Sequence, residues 1–228
     1  LISKFAQCLP ASEAHHHANP GGMVLHILES TAFSLQKRKG MMLPRGAAPE
    51  RQSRLEHRWT YGVLVAALLH EVGKPFHDLR VTYFDGSAGT GKVWNPLAGT
   101  LLELHAHYYH VDFQDPSARN YATHQRLPIA LLQRFVPQPA MQWLAEEPEL
   151  MRELMAYLSG ESSAGSAIAD LVKAGDCESV RRNLLAGPRT RFATARTVPL
   201  IERLMSALRR MLAEGAALPL NRSGAAGW

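Results

Sequence analysis

The apolar run Val63-Leu64-Val65-Ala66-Ala67-Leu68-Leu69 closes on His70-Glu71, and no other junction in the chain constrains the fold so tightly. Seven apolar residues are too few to cross a bilayer. Following the basic stretch that opens at Arg51, they predict one long helix, about Arg51 to Val72, whose second half is buried. Gly73 followed by Lys74-Pro75 reads as its stop signal, a glycine after the last turn and a proline beyond. A histidine and a glutamate ending a buried run are costly to desolvate unless something compensates them, and a metal ion would. Neighbours on a regular helix diverge by about 100°, so the pair can share one ion only where the helix is ending. The alternative is an ordinary helix end at which His70 caps and Glu71 faces solvent.

The remainder is dominated by helical periodicity. Further helices are expected near Leu1–Leu9, Met23–Lys39, Leu97–Tyr109, Asn120–Phe135, Pro139–Leu144, Glu149–Leu158, Ala164–Leu185 (with a break at Gly175) and Val198–Glu214. On the second of these, Val24, Ile27, Leu28 and Leu35 fall near one face. Residues 80–95 differ: Arg80–Phe84 and Lys92–Trp94 are β-prone runs around Asp85–Gly91, the pattern of a hairpin. Gly86–Lys92 nearly spells a phosphate-binding P-loop, but Val93 stands where Ser or Thr must bind magnesium, so the hairpin turn is the better account. The expected architecture is mainly α with one small β-hairpin. With 228 residues, 46% hydrophobic and 20% charged, the chain holds enough apolar material for one full domain, which excludes disordered and disulfide-stapled classes. Residues 1–217 are read as that domain and 218–228, rich in Gly and Ala, as a linker. Two cysteines without a CxxC pair fit a reducing, cytoplasmic setting, with no membrane insertion.

The net charge is +5, and 19 of the 25 basic residues are arginine. An arginine-rich surface suits phosphate-bearing partners, although compositional bias would look the same. Arg51, Arg54 and Arg58 are spaced for one helical face, and Arg181 and Arg182 begin a second basic group; either could track a nucleic-acid backbone or be a solvated face. The histidines are more telling, because they cluster. His26 lies in one predicted helix, His124 in another, and Asp176 in a third, which is how helical proteins build metal sites from inward-facing ligands. His15-His16-His17, between Pro10 and Gly21-Gly22, form a loop next to His26 in which His16 and His17 could complete a second metal position or contact phosphate. His105, His107 and His110 read as a surface group.

The series His26, His70-Glu71, His124, Asp176 is similar to the H…HD…H…D pattern of the HD phosphohydrolase superfamily, which is all-helical and metal-dependent and acts on phosphoesters. Glu71 replaces that pattern's aspartate and carries its carboxylate further by one methylene. Leu9-Pro10-Ala11-Ser12-Glu13-Ala14-His15-His16-His17, Gly21-Gly22 and His26 through Glu29 resemble the opening motif of the H-class (MOBH, TraI-type) conjugative relaxases. Leu68 to Pro75, Trp94-Asn95-Pro96, Arg119 to His124 and Asp176 to Val180 extend the likeness. The resemblance implies an HD-like core that nicks one DNA strand at a transfer origin, in company with other conjugation proteins. It also implies a divalent ion (manganese, magnesium, iron or similar) on His26, His70, Glu71, His124 and Asp176. Lys74 would bring positive charge to the phosphate. Among Tyr61, Tyr83, Tyr108, Tyr109 and Tyr121, the last is the preferred nucleophile, three residues from His124. Two other readings remain: an HD-type phosphohydrolase on a nucleotide or small phosphoester, and a non-catalytic module that binds DNA or a partner.

Overall fold

The computed structural model describes residues 1–86, 89–115, 125–186, 190–196, 198 and 200–214. In chain order these form α1 (Ile2–Ala6), α2 (Gly22–Arg38), α3 (Pro49–Leu69), α4 (Lys74–His77), β1 (Leu79–Phe84), β2 (Lys92–Val93) and β3 (Tyr108–Phe113). There follow α5 (Pro128–Phe135), α6 (Gln138–Ala145), α7 (Pro148–Leu158), α8 (Ala167–Leu185) and α9 (Leu200–Glu214). The protein is mainly helical with a small antiparallel sheet, as expected. Residues 116–124 and 218–228, and with them Tyr121, His124 and the expected linker, lie outside the described residues.

The core is built on α3. Trp59, Val63, Ala66 and Leu69 are fully buried and meet α2, α7 and α8, whose Ile27, Leu150, Leu154, Ile168 and Val172 are equally enclosed. The closest and most extensive helix pair is α2 against α8. Its buried face on α2 agrees only in part with the expected apolar one: Ile27 is fully buried and Val24 and Leu35 pack against the core, but Leu28 is exposed and the buried stripe takes in Met23, His26, Ser30 and Ser34. Small polar side chains sit there because α8 comes too near for large ones. A Cβ on Gly175 would lie 2.1 Å from Ser34 Oγ and 2.4 Å from the Ser30 carbonyl oxygen. Gly175 therefore does not break α8, which runs continuously; it is the point at which the two helices touch.

Other boundaries differ from expectation for local reasons. The long helix ends at Leu69, and Gly73 is not a left-handed cap but has φ −77°. The chain turns tightly through residues 70–73, with Val72 and Lys74 N–H groups donating to the Leu69 and Glu71 carbonyls, and Pro75 falls in the first turn of α4. Proline is welcome there because a first-turn N–H has no intrahelical acceptor. The hairpin exists, with β1 pairing β2 antiparallel through Thr82 and Val93, but β1 also pairs β3, giving the order β2-β1-β3. Residues 97–109 are thus turns leading into a strand, not a helix. Tyr108–Phe113 alternates outward Tyr108 and His110 with buried Val111 and Phe113, a period of two.

Candidate metal centre

Three elements bring the polar cluster together. His26 projects from α2 into the interface with α8 and is completely buried; Asp176 stands one residue past the Gly175 contact; His70 and Glu71 occupy the turn that ends α3. The reading of Glu71 as solvent-facing is overturned, since its residue exposure is only 8%.

The hydrogen bonds assign the ring protons. His70 Nδ1–H donates to the Ala67 carbonyl at 2.7 Å, which leaves Nε2 with a bare lone pair. Ser179 Oγ donates to Glu29 Oε2 at 2.9 Å and, having one proton, must accept from His26 Nδ1–H at 3.0 Å. His26 Nε2 is then also an acceptor. It faces His70 Nε2 at 3.4 Å and Asp176 Oδ1 at 3.1 Å, while Glu71 Oε1 lies 3.9 Å from His70 Nε2. Acceptors pointed at acceptors repel. An added proton on His26 would satisfy Asp176 but leave His70 and Glu71 uncompensated, whereas one divalent cation compensates His26, His70 and Glu71 together, with Asp176 beside His26 at the edge of that group. Ligand atoms held about 2.0–2.2 Å from a shared ion stand about 3–4 Å apart, the spacing found here. His26, His70 and Glu71 form a group of metal-capable atoms within 4.8 Å of one another.

The electrostatics agree with this. Burial, first of all, pushes the His70 pKa below its usual value and keeps the ring neutral. Burial of Glu71 and Asp176 opposes their ionisation but is outweighed. Lys74 leads in drawing Glu71 below the usual carboxylate range, and a proton on His26 Nε2, taken up in place of a cation, would hydrogen-bond Asp176 and lead in lowering it to about 2. Lys74 pairs with Glu71 Oε2 and donates to the Ala11 carbonyl at 2.8 Å, so its charge is held inside the site.

A second group, His16, His17 and His26, adjoins the first through the shared His26. Ser12 organises the loop: its hydroxyl accepts from the His15 and His16 N–H groups and donates to the His16 carbonyl. Asn183 Oδ1 on α8 accepts the His17 N–H at 2.9 Å. Gly21 opens α2 at φ +79°, and a Cβ on Gly22 would fall 1.9 Å from the His17 carbonyl oxygen. The paired glycines thus let the histidine loop close onto the helix start. His17 Nε2 meets Glu29 Oε2 at 3.2 Å, and the His16 and His26 ring centroids are 4.7 Å apart. Burial, then Lys74 and the neighbouring imidazoles, lower the His16 pKa to about 2.

The other expected residues fall elsewhere. Arg51 pairs with Glu147 and Glu149, and Arg58 pairs with Glu146 and lies over the Trp143 ring, so both tie α3 to its neighbours. Arg54 is exposed. Arg181 and Arg182 both pair with Glu178 one turn away. Tyr61 packs edge-on against Trp143, the Tyr109 hydroxyl accepts from the Cys8 N–H, and Tyr83 and Tyr108 lie on the sheet. Ser179 and Glu29, which orient His26, were legible as His26-x-x-Glu29 and Asp176-x-x-Ser179, spacings that put each pair on one helical face. Tyr157 and Lys173, which line the cavity beside the cluster, carried no such signal.

A mainly helical domain with a buried imidazole–carboxylate cluster at the meeting of three of its elements is the class defined by this geometry. The chain belongs to the TraI_2 family, whose model, described as "Putative helicase", matches residues 2–228. No curated protein matches the chain. The P-loop-like stretch lies between β1 and β2, with Val93 at the position where a P-loop carries Ser or Thr. No helix among the described residues is long and apolar enough to cross a membrane.

Proposed function

We propose that this protein is a metal-dependent DNA relaxase that cleaves a phosphodiester bond at the transfer origin of a conjugative element. The observation that carries the reading is the convergence of His26, His70 and Glu71 on one point, with the Asp176 carboxylate 3.1 Å from His26 Nε2, in a member of the TraI_2 family. These four side chains hold a divalent ion such as manganese, magnesium or iron, with His124 as a further ligand. His16 and His17, with His26, offer a second position. Bound there, the ion supplies Lewis-acid stabilisation of the charge that develops on the phosphoryl group.

The chain's own groups do the rest. Ser179 and Glu29 fix the His26 tautomer, Ala67 fixes that of His70, and Lys74 holds Glu71 ionised and in place. Lys74 also keeps a positive charge beside the incoming phosphate. Arg54, with Arg51, Arg58, Arg181 and Arg182 once released from their carboxylates, would meet the DNA backbone in a salt-sensitive way. Tyr121 serves as the nucleophile that conserves the bond energy in a protein–DNA link.

A second reading, hydrolysis of a nucleotide phosphoester by water, is favoured by the cavity of about 450 Å³ that adjoins His70, Glu71 and Asp176. That volume suits a small ligand. The deciding assay incubates manganese-loaded protein with supercoiled plasmid carrying the element's transfer origin. Nicked plasmid with protein attached to the DNA end is expected, and His70→Ala is expected to lose metal and nicking together. Nicking undiminished in His70→Ala overturns the site. Turnover of model phosphoesters with no adduct selects the hydrolase, and a folded protein that takes up no metal selects a non-catalytic binding module.

A further inference from the structure

The cavity beside the cluster is lined by His70, Glu71 and Asp176 and also by Tyr157 from α7, Lys173 from α8 and Gln125. Lys173 precedes Asp176 by three residues, so both lie on the same side of α8 and reach the same space. Among the described residues neither the Tyr157 hydroxyl nor the Lys173 ammonium has a hydrogen-bonding or ion-pairing partner in the protein. A half-buried phenol without a protein partner and an exposed ammonium, lining the same cavity as a carboxylate-bearing cation site, make a place for an anion. The cluster alone, with two carboxylates, would repel one; only with a cation in place does the cavity become attractive to negative charge.

We propose that Tyr157 and Lys173 form the phosphate-binding wall of this cavity and grip the non-bridging oxygens of a single unpaired nucleotide's phosphate. The Tyr157 phenol acts there as a neutral hydrogen-bond donor and not as the nucleophile. The size of the cavity sets the unpaired state: about 450 Å³ receives one nucleotide, not a stacked duplex. The neutral role follows from the phenol itself, which keeps its proton well above neutral pH and so has it available for donation. This inference rests on the phosphoester reading above and adds to it the substrate-side contacts.

Inorganic phosphate is the direct probe. Titration calorimetry on manganese-loaded protein compares wild type with Tyr157→Phe, which keeps the ring and loses only the hydroxyl, and with Lys173→Gln. Each variant is expected to weaken phosphate binding about tenfold or more, as befits loss of a hydrogen bond to a charged partner, with manganese content unchanged. Phosphate affinity within twofold of wild type in both variants overturns the proposal. So does loss of manganese in Tyr157→Phe, which would make the tyrosine a support of the ion site, and so does a loaded wild type that binds no phosphate. Nicking measured on the same samples separates the two ideas. Phosphate binding that responds to both variants in a protein that cleaves no phosphodiester refutes the relaxase reading and leaves the anion wall standing. An adduct that forms in wild type and vanishes in Tyr157→Phe despite normal phosphate binding makes Tyr157 the nucleophile and overturns its assignment as donor.

Discussion

His26 has both ring nitrogens committed, one to the Ser179–Glu29 relay and one to the cluster, and each commitment depends on the other. Ser179→Ala removes the acceptor of the Nδ1 proton and the donor to Glu29 from a fully buried position. Leaving such a group unsatisfied costs about 1–3 kcal/mol, so a urea midpoint lowered without a change in slope is expected. Manganese affinity should fall about 10–100-fold, as when an outer partner of a metal-bound histidine is lost. Equilibrium dialysis showing unchanged affinity would mean that the relay does not orient the ring. The neighbouring His16 predicts a pH dependence. Unfolded, its ring takes a proton near 6.5; folded, not until about 2. Between these values the unfolded chain binds more protons, so stability is complete above pH 6.5 and declines as the solution is acidified. The slope from each such ring is at most about 1.4 kcal/mol per pH unit. In metal-free protein, His16→Gln should flatten the stability profile between pH 6.5 and 5; a profile parallel to that of wild type would contradict the buried neutral ring.

Between elements, the contact that matters most is Gly175 against Ser30 and Ser34. In an isolated helix Gly→Ala is worth about 1 kcal/mol of added stability. Here the added methyl meets backbone and a short side chain at 2.1–2.8 Å, so the sign should reverse. Gly175→Ala is expected to destabilise the protein by about 1–3 kcal/mol, the usual cost of overpacking. Because Asp176 is the next residue, prying α8 from α2 should also weaken metal binding; thermal unfolding and metal titration on one preparation test both. A stabilised variant would show that the helices are not in contact at this point. The same crowding explains why the apolar pattern of α2 misleads. Val24, Ile27, Leu28 and Leu35 suggest a face, and all but the exposed Leu28 do meet the core, yet the buried side also holds serines that a hydrophobicity count discards. Residues 97–109 mislead for another reason, since Leu97, Leu101, Leu102 and Leu104 imitate a helical stripe while Tyr108 to Phe113 pair with β1.

For the molecule as a whole, the cluster stitches α2, the end of α3 and α8 at a point where like-signed lone pairs otherwise push apart. Anything that binds there and not to the unfolded chain stabilises the fold by mass action, about 2.7 kcal/mol at a hundred times the dissociation constant. Manganese should therefore raise the melting temperature of the wild type, chelation should reverse the rise, and the shift should be absent in His70→Ala. Identical shifts in the two proteins would place the ion elsewhere. The sequence alone determined the kinds of side chain in the candidate cluster, their order along the chain and the helical character of most of the segments that carry them, because periodicity and side-chain chemistry are local properties. Only the tertiary structure decided that Glu71 turns inward, that Ser179 and Glu29 stand behind His26, and that Tyr157 and Lys173 look onto the same cavity. Those are distances between residues remote in the chain, set by how closely two helices can approach and by what must fill or face the space they leave.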